Sequence, residues 1–220
     1  MNQRILEIAE MVDQGAVLAD IGTDHGQLCI LLAQKRWIKK AYACDVAHGP
    51  LCAAQKNIQS AGVEDRVKTI LSDGFDQVPM DADCAVIAGM GYRTIAGILE
   101  RAHERLDSFS KIILEANDDP IAMRQWLSDQ KMSIIDETFL FDKGKPYTII
   151  AMTTQKREAY SPEDIVLGPV LKQKAEHDWL LYCGQRQEKL SALLALKKEG
   201  PEREQLEEEL RYYQKLKEKA

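Results

Sequence analysis

The stretch from Val17 to Gly26 constrains the fold of this chain more than any other. It reads Val-Leu-Ala-Asp-Ile-Gly-Thr-Asp-His-Gly, so an apolar run ends in an acid and a turn with two glycines leads into a helical pattern. A strand, a glycine-containing loop and a helix in this order are typical of an α/β fold whose first loop binds a nucleotide-like ligand. The G-x-G-x-x-G fingerprint is absent, which disfavours a nicotinamide-dependent dehydrogenase.

Helical and strand patterns alternate through residue 130 and predict a mainly parallel sheet. The predicted strands are 17–21, 41–46, 67–72, 83–88 and 111–116, and the predicted helices are 2–14, 26–36, 49–60, 93–105 and 120–130. Two further strand-like runs, 133–141 and 147–153, flank a turn cluster and predict an antiparallel pair. The predicted fold class is therefore α/β, with a Rossmann-like, doubly wound sheet and a mixed edge.

The composition changes after Thr154 and predicts a helical appendage. Break signals at Ser161-Pro162 and Gly168-Pro169 predict a linker, and one long helix is expected from 170 to 199, followed by a second helix after Gly200-Pro201. The predicted seam positions are Leu171, Ala175, Trp179, Cys183, Arg186, Leu190, Leu193, Lys197, Leu206, Leu210, Tyr213 and Lys217. The predicted organisation is a cofactor-binding domain over residues 1–155, a linker over 156–168 and an α-helical coiled-coil hairpin over 169–220.

Charge and cysteine content limit the classes of function. The net charge is −6: residues 1–154 hold 16 basic and 22 acidic residues, whereas 155–220 hold 13 of each, so nucleic acid would have to bind a local patch. No apolar run is long enough for a membrane span and no secretory leader is evident, so no membrane partner is expected. Five cysteines without a C-x-x-C pair predict reduced thiols in a cytoplasmic protein.

Asp20, Asp45 and Asp73 stand at the ends of three successive predicted strands, whose carboxyl ends should meet at one edge of the sheet. Asp45 is placed to accept hydrogen bonds from two ribose hydroxyls. Asp73 could accept one from an adenine amino group, and Gly74 leaves room for the ring. The trio suits S-adenosylmethionine, which has no pyrophosphate and needs no glycine-rich phosphate cradle. We therefore expect a methyltransferase, the alternative for each single acid being a helix or turn cap.

Loops at the same edge supply the other expected site residues. The residues predicted to bind the cofactor are Asp20, Gly22, Asp24, His25, Gly26, Asp45, Val46, Asp73, Gly74, Ala88, Gly89, Met90 and Gly91. The loop after the fourth strand should border the methyl group, and it offers Tyr92 but no acid or thiol nucleophile. Asn117 and Asp118 follow the fifth strand and fit helix capping equally well. Since no histidine pair has metal-ligand spacing, no metal is expected.

These motifs resemble those of the bacterial tRNA (adenine-22 N1)-methyltransferases. The first family motif, Asp-Ile-Gly-Ser-Asp-His, corresponds to residues 20–25, and the Ala-Gly-Met-Gly loop recurs at 88–91. Weaker matches are the Arg-x-Trp-Leu pattern at 124–127, the Gly-Lys-x-Tyr turn at 144–147 and Leu-Gly-Pro at 167–169. Two departures stand near the methyl-acceptor side: Tyr92 replaces a glycine, and Glu115 replaces the glutamine of a Gln-Pro-Asn motif.

The resemblance implies a class I S-adenosylmethionine-dependent fold that methylates N1 of adenine-22 in the D-arm of tRNA. Adenine N1 is already nucleophilic, so the enzyme needs to align it and to stabilise the cationic product. Asp24 and then Glu115 are the candidate carboxylates, and Asn117 is a third candidate catalytic residue. Arg4 and Tyr92 are expected to contact the substrate, Tyr92 by stacking on an adenine flipped out of its helix.

Several points stay open at this level. Lys172, Lys174, Arg186, Lys189, Lys197 and Lys198 could grip tRNA or form a solvated surface with the neighbouring acids. The chain is expected to be a monomer or a weak homodimer, because a heptad seam does not specify whether its partner is in the same chain. The alternative functions are a small-molecule methyltransferase and a cofactor- or RNA-binding scaffold in which Tyr92 and Glu115 no longer support transfer.

Overall fold

The structure, a computed structural model, describes residues 2–217, with side chains to residue 216. The strands are β1 (Val17–Ile21), β2 (Lys40–Asp45), β3 (Val67–Leu71), β4 (Cys84–Met90), β5 (Lys111–Ala116), β6 (Ser133–Asp142) and β7 (Lys145–Thr153). The helices are α1 (Gln3–Met11), α2 (Gln27–Gln34), α3 (His48–Ala61), α4 (Tyr92–Arg101), α5 (His103–Leu106), α6 (Pro120–Asp129), α7 (Pro162–Leu167), α8 (Leu171–Lys174), α9 (His177–Leu196) and α10 (Pro201–Lys217). The predicted ends at Met1 and 218–220, and the seam side chain of Lys217, lie outside the described residues.

The seven strands form one sheet in the order β3-β2-β1-β4-β5-β7-β6. Strands β1 to β5 are parallel, β7 is antiparallel to β5, and β6 is antiparallel to β7. The predicted fold class is confirmed. Because β7 runs opposite to β5, the β6–β7 turn lies at the edge where the parallel strands have their carboxyl ends, and so contributes to the same surface.

Helices cover both faces of the sheet, which explains the nearly continuous apolar strands. Side chains such as Leu18 and Val86 pack with α1, α2 and α3 on one face. Ala19 and Ile87 pack with α4 and α6 on the other face. Four of the five cysteines are buried and Cys52 is exposed, and burial raises the pKa of Cys44 and Cys84 to about 12. These thiols therefore stay protonated near neutral pH.

Two predicted helices are shorter or more broken than expected. Helix α1 ends at Met11, because Val12 is already extended, although the prediction ran to residue 14. The single helix predicted over 93–105 is wrong, since α4 and α5 are separated at Ala102, where ψ is 6°. The apolar spacing continues across this break, so the pattern alone does not reveal it.

The predicted linker contains a helix that packs on the sheet domain. Ser161 forms a capping box with Asp164, and Pro162 stands at the first helical position of α7. Tyr160 and Ile165 are buried in the core formed with α4 and α6, and the Tyr160 hydroxyl accepts a 2.6 Å hydrogen bond from the Ile134 amide. Residues 156–168 are therefore not simply a spacer.

The prediction of one helix over 170–199 is wrong. Ala175 has φ of +47°, in the left-handed region, and Glu176 is extended, so α8 ends and α9 begins in a new direction. The predicted seam residues keep their spacing of four and three residues across this break, so the sequence pattern does not reveal it. The shift also moves the seam: Leu194 is buried, whereas the predicted Leu193 is 41% exposed.

Helices α9 and α10 pack as an antiparallel pair joined at Gly200. Trp179, Cys183 and Leu190 of α9 contact Leu206 and Tyr213 of α10, and the cluster continues onto Phe139 of β6 and Leu167 of α7. At the predicted seam position Arg186, the guanidinium pairs with Glu209 of the opposite helix. The apolar seam thus holds the hairpin both to itself and to the sheet domain.

A buried ion pair within the sheet domain also binds the start of the helical tail. The Nε of Arg124 on α6 donates to Oε1 of Glu137 on β6 at 2.7 Å, and the two side chains are 3% and 0% exposed. The other carboxylate oxygen accepts from the amides of Val170 and Leu171, at the start of α8. Gly168 has φ of +86°, and a Cβ there would lie 2.8 Å from both Arg124 and Glu137. The pair therefore fixes where the helical tail leaves the sheet.

Candidate active site

A cavity of about 270 Å³ lies at the carboxyl edge of β1, β2 and β3, with α4 as its outer wall. Its lining residues are Ile21, Gly22, Asp45, Val46, Ser72, Asp73, Gly74, Met90, Arg93, Thr94, Gly97, Ile98 and Arg101. The structure therefore brings together Asp45 and Asp73, the two acids predicted to hold ribose and adenine. We call this cavity the cofactor pocket.

Asp45 and Asp73 keep hydrogen-bonding capacity towards a ligand. Oδ1 of Asp45 accepts from the Ala47 amide at 2.9 Å, and Oδ1 of Asp73 accepts from Arg101 at 2.9 Å. In each carboxylate the Oδ2 has no hydrogen bond within residues 2–217. Val46 is 69% exposed beside them and offers an apolar surface for a ring. The available carboxylate oxygens and this apolar surface fit an adenosine moiety.

Gly22 and Met90 meet across the inner end of the cofactor pocket. Gly22 has φ of +76°, and a Cβ at this position would overlap the terminal methyl of Met90. The Gly22 and Thr23 amides donate to the Cys44 carbonyl, which ties this loop to the end of β2. The positive φ favours glycine at this position, whereas the Met90 methyl ends a flexible side chain that could move aside. The two predicted cofactor-binding residues therefore lie next to each other.

Asp20 does not line the cofactor pocket. The residue is 7% exposed, and its carboxylate accepts hydrogen bonds from the Thr23 hydroxyl at 2.6 Å and from the Cys29 thiol at 3.6 Å. Burial raises its pKa to about 6, and the bonds from Thr23 and Cys29 oppose the shift. The observed contacts therefore connect Asp20 to the shape of the loop, while its predicted contact with the cofactor stays a prediction.

The raised pKa of Asp20 predicts a pH-dependent stability difference. The folded protein holds this proton more tightly than the unfolded chain, so the contribution to stability is present below about pH 4 and lost as the pH rises to about 6. We expect Asp20→Asn, which stays neutral, to gain on the order of 2 kcal/mol relative to wild type between pH 4 and pH 7. Urea unfolding at both pH values measures this difference. A difference that does not change with pH would contradict the burial argument, and the exposed Asp76→Asn is the control.

The predicted residues Asp24, His25 and Gly26 form the outer part of the first loop, where Asp24 and His25 are exposed and Gly26 is buried. The Asp24 carboxylate is 80% exposed and lies 3.2 Å from Nε2 of His25, which has φ of +56°. Gly26 has φ of +72° and precedes α2, while the His25 carbonyl accepts from Asn57 at 3.0 Å. None of the three lines the cofactor pocket. Their roles towards cofactor or substrate stay predictions.

Glu115 is buried beneath the loop that follows β4. A direct contact with substrate would require an accessible carboxylate. Its Oε2 accepts from the Gly89 amide at 2.9 Å and lies 3.2 Å from Nη1 of Arg4, whereas its Oε1 is buried without a partner among the described residues. Burial raises its pKa, and Arg4 and the Gly89 amide oppose the shift. Arg4 also donates to Oδ1 of Asn117 at 2.9 Å and lies 5.0 Å from the Tyr147 ring centre. Arg4 and Glu115 thus hold the two loops of the site in place.

The loop over Ala88–Tyr92 is tied to the end of β5. A bulge between Ala88 and Met90 displaces Gly89 from the β4–β5 register. The Met90 carbonyl accepts from the Asn117 amide at 2.8 Å, and the Tyr92 amide donates to Oδ1 of Asp118 at 2.7 Å. The alternative role of Asn117 or Asp118 as the cap of α6 is not observed, because Asp119 is the N-cap and accepts from the Ala122 amide at 2.9 Å.

A second cavity of about 920 Å³ lies on the other side of this loop, between the carboxyl edge of the sheet and the helical tail. We call it the interdomain cleft. Asn117 and Asp118 line its inner end, Tyr147 and Lys145 its wall on β7, and Tyr182 its wall on α9. The cleft and the cofactor pocket are thus separated by the segment Met90–Tyr92 and its bonds to Asn117 and Asp118.

Sequence reasoning missed the contribution of α4 to the cofactor pocket. Arg93, Gly97 and Arg101 repeat every four residues and so lie on one face of this helix, with Thr94 and Ile98 beside them. This face is polar and carries no known motif. Its contribution to the cofactor pocket depends on the packing of α4 beside the end of β3, which the sequence pattern does not give. The sequence signal that could have indicated this wall is the spacing of four residues between Arg93, Gly97 and Arg101.

Comparisons with known proteins agree with this geometry. The model of the family described as "Methyltransferase domain" matches residues 1–150. The chain is 31% identical over 160 residues to the tRNA (adenine(22)-N(1))-methyltransferase of Bacillus subtilis, covering 72% of this chain and 67% of that protein. A crystal structure of Sp1610 from Streptococcus pneumoniae, named as a candidate N1-methyladenine-22 tRNA methyltransferase, has a TM-score of 0.91 at 30% identity, covering 98% of this chain and 99% of the other. Its complex with S-adenosyl-L-methionine has a TM-score of 0.87 with the same identity and coverage.

Two further observations concern the described residues only. None of the helices combines the length and apolarity that crossing a membrane requires. Within residues 2–217, no group of three or more His, Cys, Asp or Glu side chains is arranged to hold a metal ion.

Proposed function

This chain belongs to the family of S-adenosylmethionine-dependent tRNA (adenine-22 N1)-methyltransferases, and from this premise we propose that it methylates N1 of adenine-22 in the D-arm of tRNA. The observation that carries the proposal is the pairing of two cavities across Met90–Tyr92. One has the acceptors for an adenosine, and the other has room for a nucleotide of the substrate.

Asp45 and Asp73 would hold the ribose and adenine of S-adenosylmethionine, and Gly22 would allow its close approach to the backbone. When bound, this cofactor supplies a methyl group on a sulfonium centre. The adenine N1 lone pair forms the new N–C bond while the electrons of the C–S bond pass to sulfur. No proton has to leave before attack, so the protein contributes alignment and charge stabilisation. Since N1 lies on the Watson–Crick edge, adenine-22 must first leave its stack.

Mass spectrometry of tRNA after incubation with the protein and labelled S-adenosylmethionine tests this function. We expect one labelled methyl on N1 of adenine-22, and none on the same tRNA with guanine at that position. Methyl transfer to another nucleotide would contradict the assignment of the position, and the absence of transfer to tRNA would favour the scaffold alternative.

The tail cations provide little free charge for tRNA. Of the six predicted to grip RNA, Lys172, Lys174, Arg186 and Lys197 pair with acids of the same chain. Only Lys189 and Lys198 have no ion pair within the described residues. These ion pairs favour the alternative that most of the tail is a solvated surface whose basic residues are neutralised by acids, rather than a tRNA-binding surface.

Lys143 and Lys145, in and after the β6–β7 turn, are better placed for phosphate contacts. Both are exposed and without an ion pair in residues 2–217, and Lys145 lines the interdomain cleft. We expect the double change Lys143→Ala and Lys145→Ala to raise the KM for tRNA about 3- to 10-fold, with kcat nearly unchanged, because phosphate contacts add uniform binding. Steady-state kinetics across a salt series measures this effect, and its salt slope should fall by about 1–2.

The matched control for these lysines is Lys35→Ala with Lys39→Ala, at the opposite edge of the sheet. An equal effect of the two pairs would indicate a general charge effect and contradict a local tRNA contact. As further elements of the proposal, the protein acts in the cytoplasm as a monomer or weak homodimer, since the α9–α10 seam is filled within one chain.

A further inference from the structure

Asp118 stands at the boundary between the two cavities. Its Oδ1 accepts from the Tyr92 amide at 2.7 Å, and the carboxylate lies 3.0 Å from where a Cβ on Gly91 would be. The residue is exposed and lines the inner end of the interdomain cleft. A group in this place touches the segment Met90–Tyr92, across which the donor and acceptor must meet.

The chemistry of adenine requires a hydrogen-bond acceptor at this boundary. The Watson–Crick edge presents N1 next to an exocyclic amino group, which donates hydrogen bonds. Oδ1 of Asn117 is already occupied by Arg4, and Glu115 is buried and held by Arg4 and the Gly89 amide. Oδ2 of Asp118 has no hydrogen bond within the described residues. Among the three polar side chains at the end of β5, Asp118 therefore has the acceptor that is exposed, charged and without a hydrogen bond.

We propose that the interdomain cleft is the acceptor-nucleotide site and that Asp118 is a catalytic residue, whose Oδ2 accepts a hydrogen bond from the amino group of the adenine. This inference rests on the proposed function and assigns a residue to it. The cleft volume of about 920 Å³ lies within the range typical of small-ligand sites. Tyr147 and Tyr182, on opposite sides, supply aromatic surfaces for a purine.

The negative charge gives Asp118 a larger effect in the transition state than in the ground state. As N1 attacks, the positive charge of the sulfonium passes to the purine and spreads over N1 and the exocyclic nitrogen, while the C–S electron pair goes to sulfur. The amino protons become more acidic, so a carboxylate that accepts one of them binds more strongly as the reaction proceeds. The proton stays on the amino group, and the product is a cation paired with Asp118.

Asp118→Asn is the direct test, because the asparagine can keep the bond to the Tyr92 amide but loses the charge and directs an NH₂ group at the adenine amino group. We expect kcat to fall on the order of 100-fold, with the affinity for S-adenosylmethionine within about twofold of wild type by calorimetry. The matched control is Asp129→Asn at the end of α6, which removes an exposed acid that does not line the interdomain cleft. It should retain kcat within about twofold.

A second measurement tests the contact itself. tRNA carrying purine riboside at position 22 lacks the amino group, and its rate relative to normal tRNA is measured with both enzymes. Wild type should lose at least about tenfold more than Asp118→Asn, because only wild type loses the hydrogen bond. Equal losses, or full activity of Asp118→Asn, would overturn the inference while leaving the function intact. No methylation of normal tRNA by wild type would instead overturn the proposed function, and this inference with it.

Discussion

Asp45→Ala is expected to weaken binding of S-adenosylmethionine roughly 100- to 10,000-fold. The carboxylate ends β2 and lines the cofactor pocket, where it would accept two ribose hydroxyls. Each hydrogen bond to a charged group contributes about 1.5–3 kcal/mol, and the loss of both gives an affinity change of this size. Isothermal titration calorimetry measures the dissociation constant directly, without a need for tRNA or turnover.

Asp45→Asn separates the ligand contact from the local fold. Asparagine keeps the oxygen that accepts from the Ala47 amide, so the turn should be preserved and affinity should fall only about tenfold. Asp76→Ala removes an exposed acid that does not line the pocket, and it should leave binding within about twofold. If Asp45→Ala binds the cofactor within threefold of wild type while folded, Asp45 is not the ribose ligand.

Arg124→Ala is expected to lower the free energy of unfolding by about 3–5 kcal/mol. The change leaves the Glu137 carboxylate uncompensated in a position with no exposed surface. It also loosens the start of α8, because Glu137 holds the Val170 and Leu171 amides. Urea unfolding measures the loss. The tail forms one wall of the interdomain cleft, so tRNA turnover should fall while cofactor affinity in the folded fraction changes little.

Two comparisons isolate the buried charge. Lys172→Ala removes a partly exposed ion pair with Asp164 and should cost less than about 1 kcal/mol. Arg124→Met combined with Glu137→Gln leaves no buried charge and keeps an acceptor for α8, so it should recover more than half of the stability lost by Arg124→Ala. An Arg124→Ala protein within 1 kcal/mol of wild type would show that the ion pair does not secure the tail.

The cofactor pocket illustrates how far sequence reasoning reaches. The positions of Asp45 and Asp73 were predictable because the carboxyl ends of parallel strands lie at one edge of a sheet. The strands themselves were predicted from the alternation of strand and helix patterns along the sequence. Asp20 obeys the same rule, yet its side chain accepts from Thr23 inside the loop. Position along a strand predicts where a backbone ends, but the local turn decides which way the side chain points.

The substrate side was predicted less well, since it depends on packing between distant segments. Glu115 was a candidate for contact with substrate, but the Gly89 amide and Arg4 of α1 enclose it. Asp118 fits a helix cap by residue type, but Asp119 is the N-cap of α6 in the structure. Pro120 at the first helical position is the local signal that indicates Asp119.

By itself, the sequence determined the α/β class, the edge of the sheet that carries the cavities, the two acids that line the smaller of them and the helical hairpin. These follow from periodicity and strand ends, which are local properties. Only the tertiary structure decided the break at Ala175, the Arg124–Glu137 pair and the interdomain cleft between Tyr147 and Tyr182. The ion pair and the cleft depend on side chains far apart in the chain that pack against one another. Apolar spacing indicates that a residue is buried, but it does not identify the residue that buries it.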